Sequence, residues 1–177
     1  MLADHLSIRD ATGADADACA AIYGPYVEDT CVSFETEAPG PVDIAHRIAG
    51  AADRHAWLVL EDNGRVVGYA YGSPFKERAA YRWSCETSIY LEVGRRRTGA
   101  GRALYGALHV RLAERGYHRV FAGMTLPNEA SAGLHRSLGF EPVGVYRKVG
   151  WKHGAWHDVA WMQKTIGNDE QPPVDPH

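Results

Sequence analysis

The residues best placed to do chemistry lie in and just after one stretch. From position 83 it reads Trp-Ser-Cys-Glu-Thr-Ser-Ile-Tyr-Leu-Glu-Val, then Gly-Arg-Arg-Arg-Thr-Gly-Ala-Gly-Arg, then Ala-Leu-Tyr-Gly-Ala-Leu-His-Val-Arg-Leu. Residues 86–93 are rich in β-branched and aromatic side chains, and Thr87, Ile89, Leu91 and Val93 alternate onto one face of a predicted strand. Leu104, Ala107, Leu108 and Leu112 repeat with helical spacing. Between them, Gly99 and Gly101 let the backbone approach a ligand closely. The helix start adds its positive end, and the arginines at 95–97 add full charges. Such a loop can cradle a pyrophosphate; an ordinary strand-to-helix turn has the same outline. It is not a Walker A loop, since no Gly-Lys-Ser/Thr follows, nor the dinucleotide fingerprint, whose third glycine is missing.

The elements around this stretch fit one domain over 1–166, with a polar, proline-bearing tail at 167–177 predicted to be disordered. Net charge is −3, which exerts no general pull on nucleic acid. Three cysteines without metal spacing, and no apolar leader, suit free thiols in the cytoplasm. No stretch is long and apolar enough for a membrane span. The pattern predicts a first strand at 6–9 and a helix after Thr12 and Asp15, broken or kinked at Gly24-Pro25. A second helix opens at Pro41, and Asn63-Gly64 turns a hairpin between strands at 57–60 and 66–71. After the central helix come a strand at 120–124 and a short helix from Asn128 with Leu134 and Leu138 as its buried stripe. Two last strands, 140–149 and 156–165, are joined through Gly150-Trp-Lys-His-Gly. The order β-α-α-β-β-β-α-β-α-β-β indicates an α+β fold with a mixed, largely antiparallel sheet. The segment 31–37 reads either as a cover over the core or as a wall of a site with Phe34 facing inward.

With these motifs in hand, the chain resembles the GNAT acetyltransferase superfamily over nearly its whole length. Arg-Arg-Thr-Gly-Ala-Gly at 96–101 matches the superfamily's acetyl-CoA loop, and 128–140, from Asn128 to Leu-Gly-Phe, matches its short helix. More narrowly, it resembles the phosphinothricin (methionine sulfoximine) acetyltransferases. That likeness rests on Val-Ser-Phe-Glu-Thr-Glu at 32–37, Lys76-x-Arg-x-Ala-Tyr81, Glu-Thr-Ser-Ile-Tyr at 86–90 and Lys-His-Gly-x-Trp-His-Asp-Val at 152–159. The resemblance implies a GNAT fold with a splayed central strand, acetyl-CoA as co-substrate, a small amino-acid-like acceptor and a homodimer.

Acetyl transfer to an amine needs a base, donors for the developing oxyanion, and help for the departing thiolate. Glu86 is the expected base, because burial among small and apolar neighbours raises a carboxyl pKa; the alternative is a surface carboxylate at a strand end. His135 stands where many superfamily members have tyrosine, and is expected to be the acid or a second proton relay; otherwise it is a satisfied helix histidine. The backbone N–H of Tyr90 or Leu91 is the expected oxyanion donor. The cofactor set is Ile89, Tyr90, Leu91, Val93, Arg96, Arg97, Thr98, Gly99, Ala100, Gly101, Arg102, Asn128 and Ser131. The acceptor set is Phe34, Lys76, Arg78, Tyr81, Tyr90 and Val159, with Arg78 on the substrate carboxylate. Cys85 is expected to point to the opposite face from Glu86, as packing. No metal is expected at His153 and His157. Acetylation of protein N-termini or lysines, and a non-catalytic CoA-binding regulator, are the competing functions.

Overall fold

The structure is a computed structural model and describes residues 5–95, 99–168 and 175–177. Seven strands form one sheet in the order β1-β2-β3-β4-β5-β7-β6. The strands are β1 (Leu6–Asp10), β2 (Trp57–Asp62), β3 (Arg65–Pro74), β4 (Ser84–Leu91), β5 (Arg119–Thr125), β6 (Glu141–Lys152) and β7 (Ala155–Thr165). The helices are α1 (Ala16–Glu28), α2 (Pro41–Arg54), α3 (Ala100–Glu114) and α4 (Glu129–Ser137). Every neighbouring pair is antiparallel except β4 and β5. That parallel ladder covers only Ser84–Glu86 against Arg119–Phe121, and the two strands then part.

Strand alternation divides the core between the two faces. Cys85, Val120, Ala122 and Met124 pack under α3 with Leu104, Leu108 and Leu112. Tyr69 and Trp57 pack under α1 and α2 with Cys19, Ile44 and Ile48. Asn63 and Gly64, both with positive φ, turn the β2–β3 hairpin.

Several elements differ from the sequence reading. Helix α1 runs through Gly24-Pro25 to Glu28. Buried Tyr23 and Val27 hold its last turn to the core, and the Asp29 N–H donates to the Pro25 carbonyl. Strand β4 stops at Leu91, so Val93 is an exposed turn residue and does not continue the buried alternation. Strands β6 and β7 extend to a two-residue turn at His153-Gly154, both with positive φ, so Trp151 and Lys152 belong to strand. In α4 the buried residue is His135, whereas Leu134 and Leu138 are only half-buried. The segment 31–37 is irregular. Most of the expected disordered tail lies outside the described residues, but Asp175 pairs with Arg82 at 2.7 Å and the His177 N–H donates to the Arg115 carbonyl.

Candidate active site

Where β4 leaves β5, a cleft of about 60 Å³ opens. Thr87, Ser88, Ile89 and Tyr90 line one side, and Ala122, Gly123 and Met124 the other. Val32, Tyr105, Asn128, Ser131 and His135 complete it. The direction of the backbone amides follows from register. The Glu92 N–H donates to Val67 of β3, and successive amides along a strand point to opposite edges. Ile89 and Leu91 therefore turn their N–H groups to the parting edge, while Tyr90 turns its own to β3. Of the two expected oxyanion donors, the geometry favours Leu91. The Tyr26 hydroxyl donates to the Leu91 carbonyl at 2.7 Å and holds the end of the strand from the α1 side.

The glycine loop divides into parts. Arg96, Arg97 and Thr98 lie outside the described residues. The Arg95 guanidinium pairs with Asp62 at 2.7 Å. Gly99 caps α3 in the left-handed region, at φ 75°. Gly101 sits inside the first turn of α3, where a Cβ would stand 3.2 Å from Leu91 Cδ1. Its missing side chain lets the helix start close on the cleft-lining strand, with the first-turn amides of Ala100, Gly101 and Arg102 at the cleft end of β4. Asn128 caps α4 by accepting from the Ser131 N–H at 3.1 Å.

Glu86 lies on the opposite face from Cys85, whose buried thiol is pushed up by desolvation. The Glu86 carboxyl is raised by burial, with the Lys76 ammonium pulling the other way. Glu86 registers with Phe121 on β5. Phe121 stacks on Phe75 at 4.0 Å, and Phe75 meets Tyr81 and Trp161 edge-on. Lys76 lies over the Phe75 ring. Lys76, Tyr81 and Glu86 thus gather around one aromatic group. Arg78 is exposed on the same loop, and its carbonyl accepts from the Tyr81 N–H. Tyr90 is packed among Tyr23, Tyr26 and Tyr69. Phe34, half-exposed, packs against the β6–β7 hairpin, near His157. Val159 is half-buried on β7.

His135 is buried, and desolvation lowers its pKa, which keeps the ring neutral. Its Nδ1 lies 2.7 Å from the Ser131 carbonyl, which can only accept, so Nδ1 carries the proton. The bare Nε2 then faces the Tyr105 hydroxyl at 3.3 Å, and that hydroxyl also reaches Thr87 Oγ1 at 2.7 Å. Tyr105, Thr87, Phe121 and Trp161 were missed in the sequence. Only the alternation of 119–125, with Phe121 and Gly123 opposite Val120 and Ala122, carried a signal for Phe121.

The model of the acetyltransferase (GNAT) domain matches residues 8–161. The chain belongs to the GNAT acetyltransferases and is an enzyme of that class. It is 38% identical to a phosphinothricin N-acetyltransferase of Streptomyces viridochromogenes, over 91% of this chain and 88% of that protein. It is 37% identical to an L-methionine sulfoximine/L-methionine sulfone acetyltransferase of Pseudomonas aeruginosa, over 90% and 94% respectively. A Sinorhizobium meliloti phosphinothricin acetyltransferase, solved in complex with acetyl-CoA, superposes with a TM-score of 0.90 at 34% identity, covering 96% of this chain and 94% of that one.

Proposed function

We propose that this enzyme moves an acetyl group from acetyl-CoA to the α-amino group of a small amino acid with a compact polar tail, such as methionine sulfoximine, methionine sulfone or phosphinothricin. The observation that carries the reading is the parting of β4 and β5 directly after Glu86. It places a raised carboxyl and outward-turned amides at one break in the sheet. The Ile89 and Leu91 amides suit the amides and thioester oxygen of the pantetheine arm, and the close-packed α3 start suits its pyrophosphate. The relatives' names set the acceptor class.

Glu86 takes the ammonium proton, directly or through a water, so that the neutral amine attacks the thioester carbon. The Leu91 N–H receives the developing oxyanion. His135, neutral and bare at Nε2, has no proton to give from that atom. It orients the Tyr105 hydroxyl through Nε2, and that hydroxyl gives its proton to the departing thiolate and regains one from solvent. Lys76 and Arg78 are the cations for the acceptor carboxylate, and the Phe75–Tyr81 group and Phe34 are the walls for its short chain. A homodimer fits the exposed apolar residues of the β6–β7 hairpin, Trp151 and Trp156 among them. Free thiols at Cys19, Cys31 and Cys85 fit the cytoplasm.

Thiol release from acetyl-CoA with a panel of amines tests the reading. Methionine sulfone and sulfoximine should turn over well, and their decarboxylated amines poorly. Arg78→Ala should raise KM for the amino acid and leave that for acetyl-CoA unchanged. Equal turnover of an amino acid and its decarboxylated amine, or preference for a peptide N-terminus, would remove it.

A further inference from the structure

The motif 152–159 is the most distinctive in the sequence, yet the roles above leave its first residue unused. Lys152 is 7% exposed, a rare condition for lysine. Its ammonium donates to the Val27 carbonyl at 2.5 Å and to the Ser33 carbonyl at 2.7 Å. The two acceptors differ in kind. Val27 lies in the last turn of α1, where carbonyls lack helical partners and the helix end is negative. Ser33 directly precedes Phe34 in an irregular segment with few backbone bonds of its own. One cation therefore ties the end of α1 to the residue before Phe34, and both to β6.

Strand alternation gives the hairpin two faces. Trp151 and Trp156, paired in register, are exposed. Gly150, Lys152 and His157 face the 27–35 segment. A Cβ on Gly150 would overlap the Phe34 ring, so the glycine is a seat for that ring. His157 Nε2 lies 2.9 Å from the Lys152 carbonyl, which can only accept, so this nitrogen carries its proton, and the same N–H faces Cys31 Sγ at 3.2 Å. On the far side, the Tyr23 hydroxyl meets Ser33 Oγ at 2.6 Å and Glu35 at 2.8 Å, and Glu35 pairs with Arg47 at 2.7 Å. The segment is thus gripped from both sides, and Val32 within it lines the cleft.

We propose that Lys152 is a positioning residue for the acceptor: its ammonium fixes the 27–35 segment, and through it Phe34 on its Gly150 seat, as a wall of the acceptor site. The acceptor role of that wall rests on the function proposed above; the clamp itself does not.

Lys152→Met keeps the length and apolar stem but removes all three donors. In the full-length enzyme, hydrogen exchange of the amides at 28–35 should accelerate while that of α3 stays unchanged. KM for the best-accepted amine should rise about tenfold, the scale of one lost charge-assisted hydrogen bond, with KM for acetyl-CoA within about twofold. In a Phe34→Ala background the same substitution should raise the amine KM by less than about twofold, because its target is gone. Gly150→Ala, which displaces Phe34 without touching Lys152, should raise the same KM and serves if Lys152→Met does not fold. A lower Tm with unchanged exchange at 28–35 and unchanged KM values overturns the proposal, as does full additivity with Phe34→Ala. So does faster exchange without any change in amine KM, or a Gly150→Ala enzyme with wild-type kinetics. Should the wild type reject amino acids, the proposed function fails, while the exchange data still judge the clamp.

Discussion

At the scale of single residues, Glu86 exposes a conflict between activity and stability. Burial raises its folded pKa above the ordinary 4.5. Between those two values the native state binds a proton that the unfolded chain has lost, so stability falls as pH rises through the window. Above the window the ionised carboxyl is a cost that the base function requires. Glu86→Gln should therefore lower kcat by about 10²–10⁴-fold at neutral pH, with the loss shrinking at high pH where free amine is abundant. The same variant should melt at a higher temperature than wild type at pH 7 and lose that advantage near pH 4. A kcat loss that is independent of pH would assign Glu86 to positioning the substrate. His135 offers a parallel test. If it acts through Tyr105, His135→Gln and Tyr105→Phe should each slow turnover with little change in acetyl-CoA affinity, and the double variant should be no slower than the worse single one. Additive losses would separate the two residues.

At the scale of elements, the two glycines at the start of α3 have different jobs, which the sequence could not distinguish. Gly99 needs its left-handed φ of 75°, but among the described residues nothing crowds its Cβ position. Gly101 has ordinary helical geometry but a crowded Cβ position against Leu91. Gly99→Ala should cost about 1–2 kcal/mol of backbone strain, measurable by urea denaturation. Gly101→Val pushes α3 off β4, so it should raise KM for acetyl-CoA more than Gly99→Ala does. The reverse order would mean that strain, not closeness, controls the cradle. The run of α1 through Pro25 follows the same logic. A missing N–H and a ring near the helix end are offset by the burial of Tyr23 and Val27, which local propensity cannot weigh.

At the scale of the whole molecule, three histidines are buried in the neutral form. Burial lowers His55 to about 4 and His109 to about 3, and also lowers His135. As pH falls below about 6.5 the unfolded chain gains protons that these rings refuse. Each histidine then removes up to about 1.4 kcal/mol of stability per pH unit. His109, with neither ring nitrogen hydrogen-bonded among the described residues, is the clearest probe. His109→Leu should flatten the decline in stability between pH 6.5 and 4, as read by denaturant unfolding. An unchanged slope would show that its ring is already protonated or solvated. The exposed Trp151–Trp156 pair gives the matching test of assembly. Wild type should sediment as a dimer and Trp156→Glu as a monomer, with unfolding cooperativity retained.

The sequence by itself determined the order of elements and the family, because both rest on local pattern: strand alternation, helical spacing, paired turn residues and contiguous motifs. It also separated Glu86 from Cys85, since neighbours on a strand face opposite ways. Tertiary structure decided what depends on contacts between distant segments. It paired Arg95 with Asp62, thirty-three positions earlier, and joined Tyr105 to His135, thirty positions later. It also buried Lys152 against carbonyls 125 and 119 residues away. A lysine in a quoted motif reads as a surface charge until the chain folds, because its partners are backbone carbonyls, and carbonyls are the one feature every residue shares.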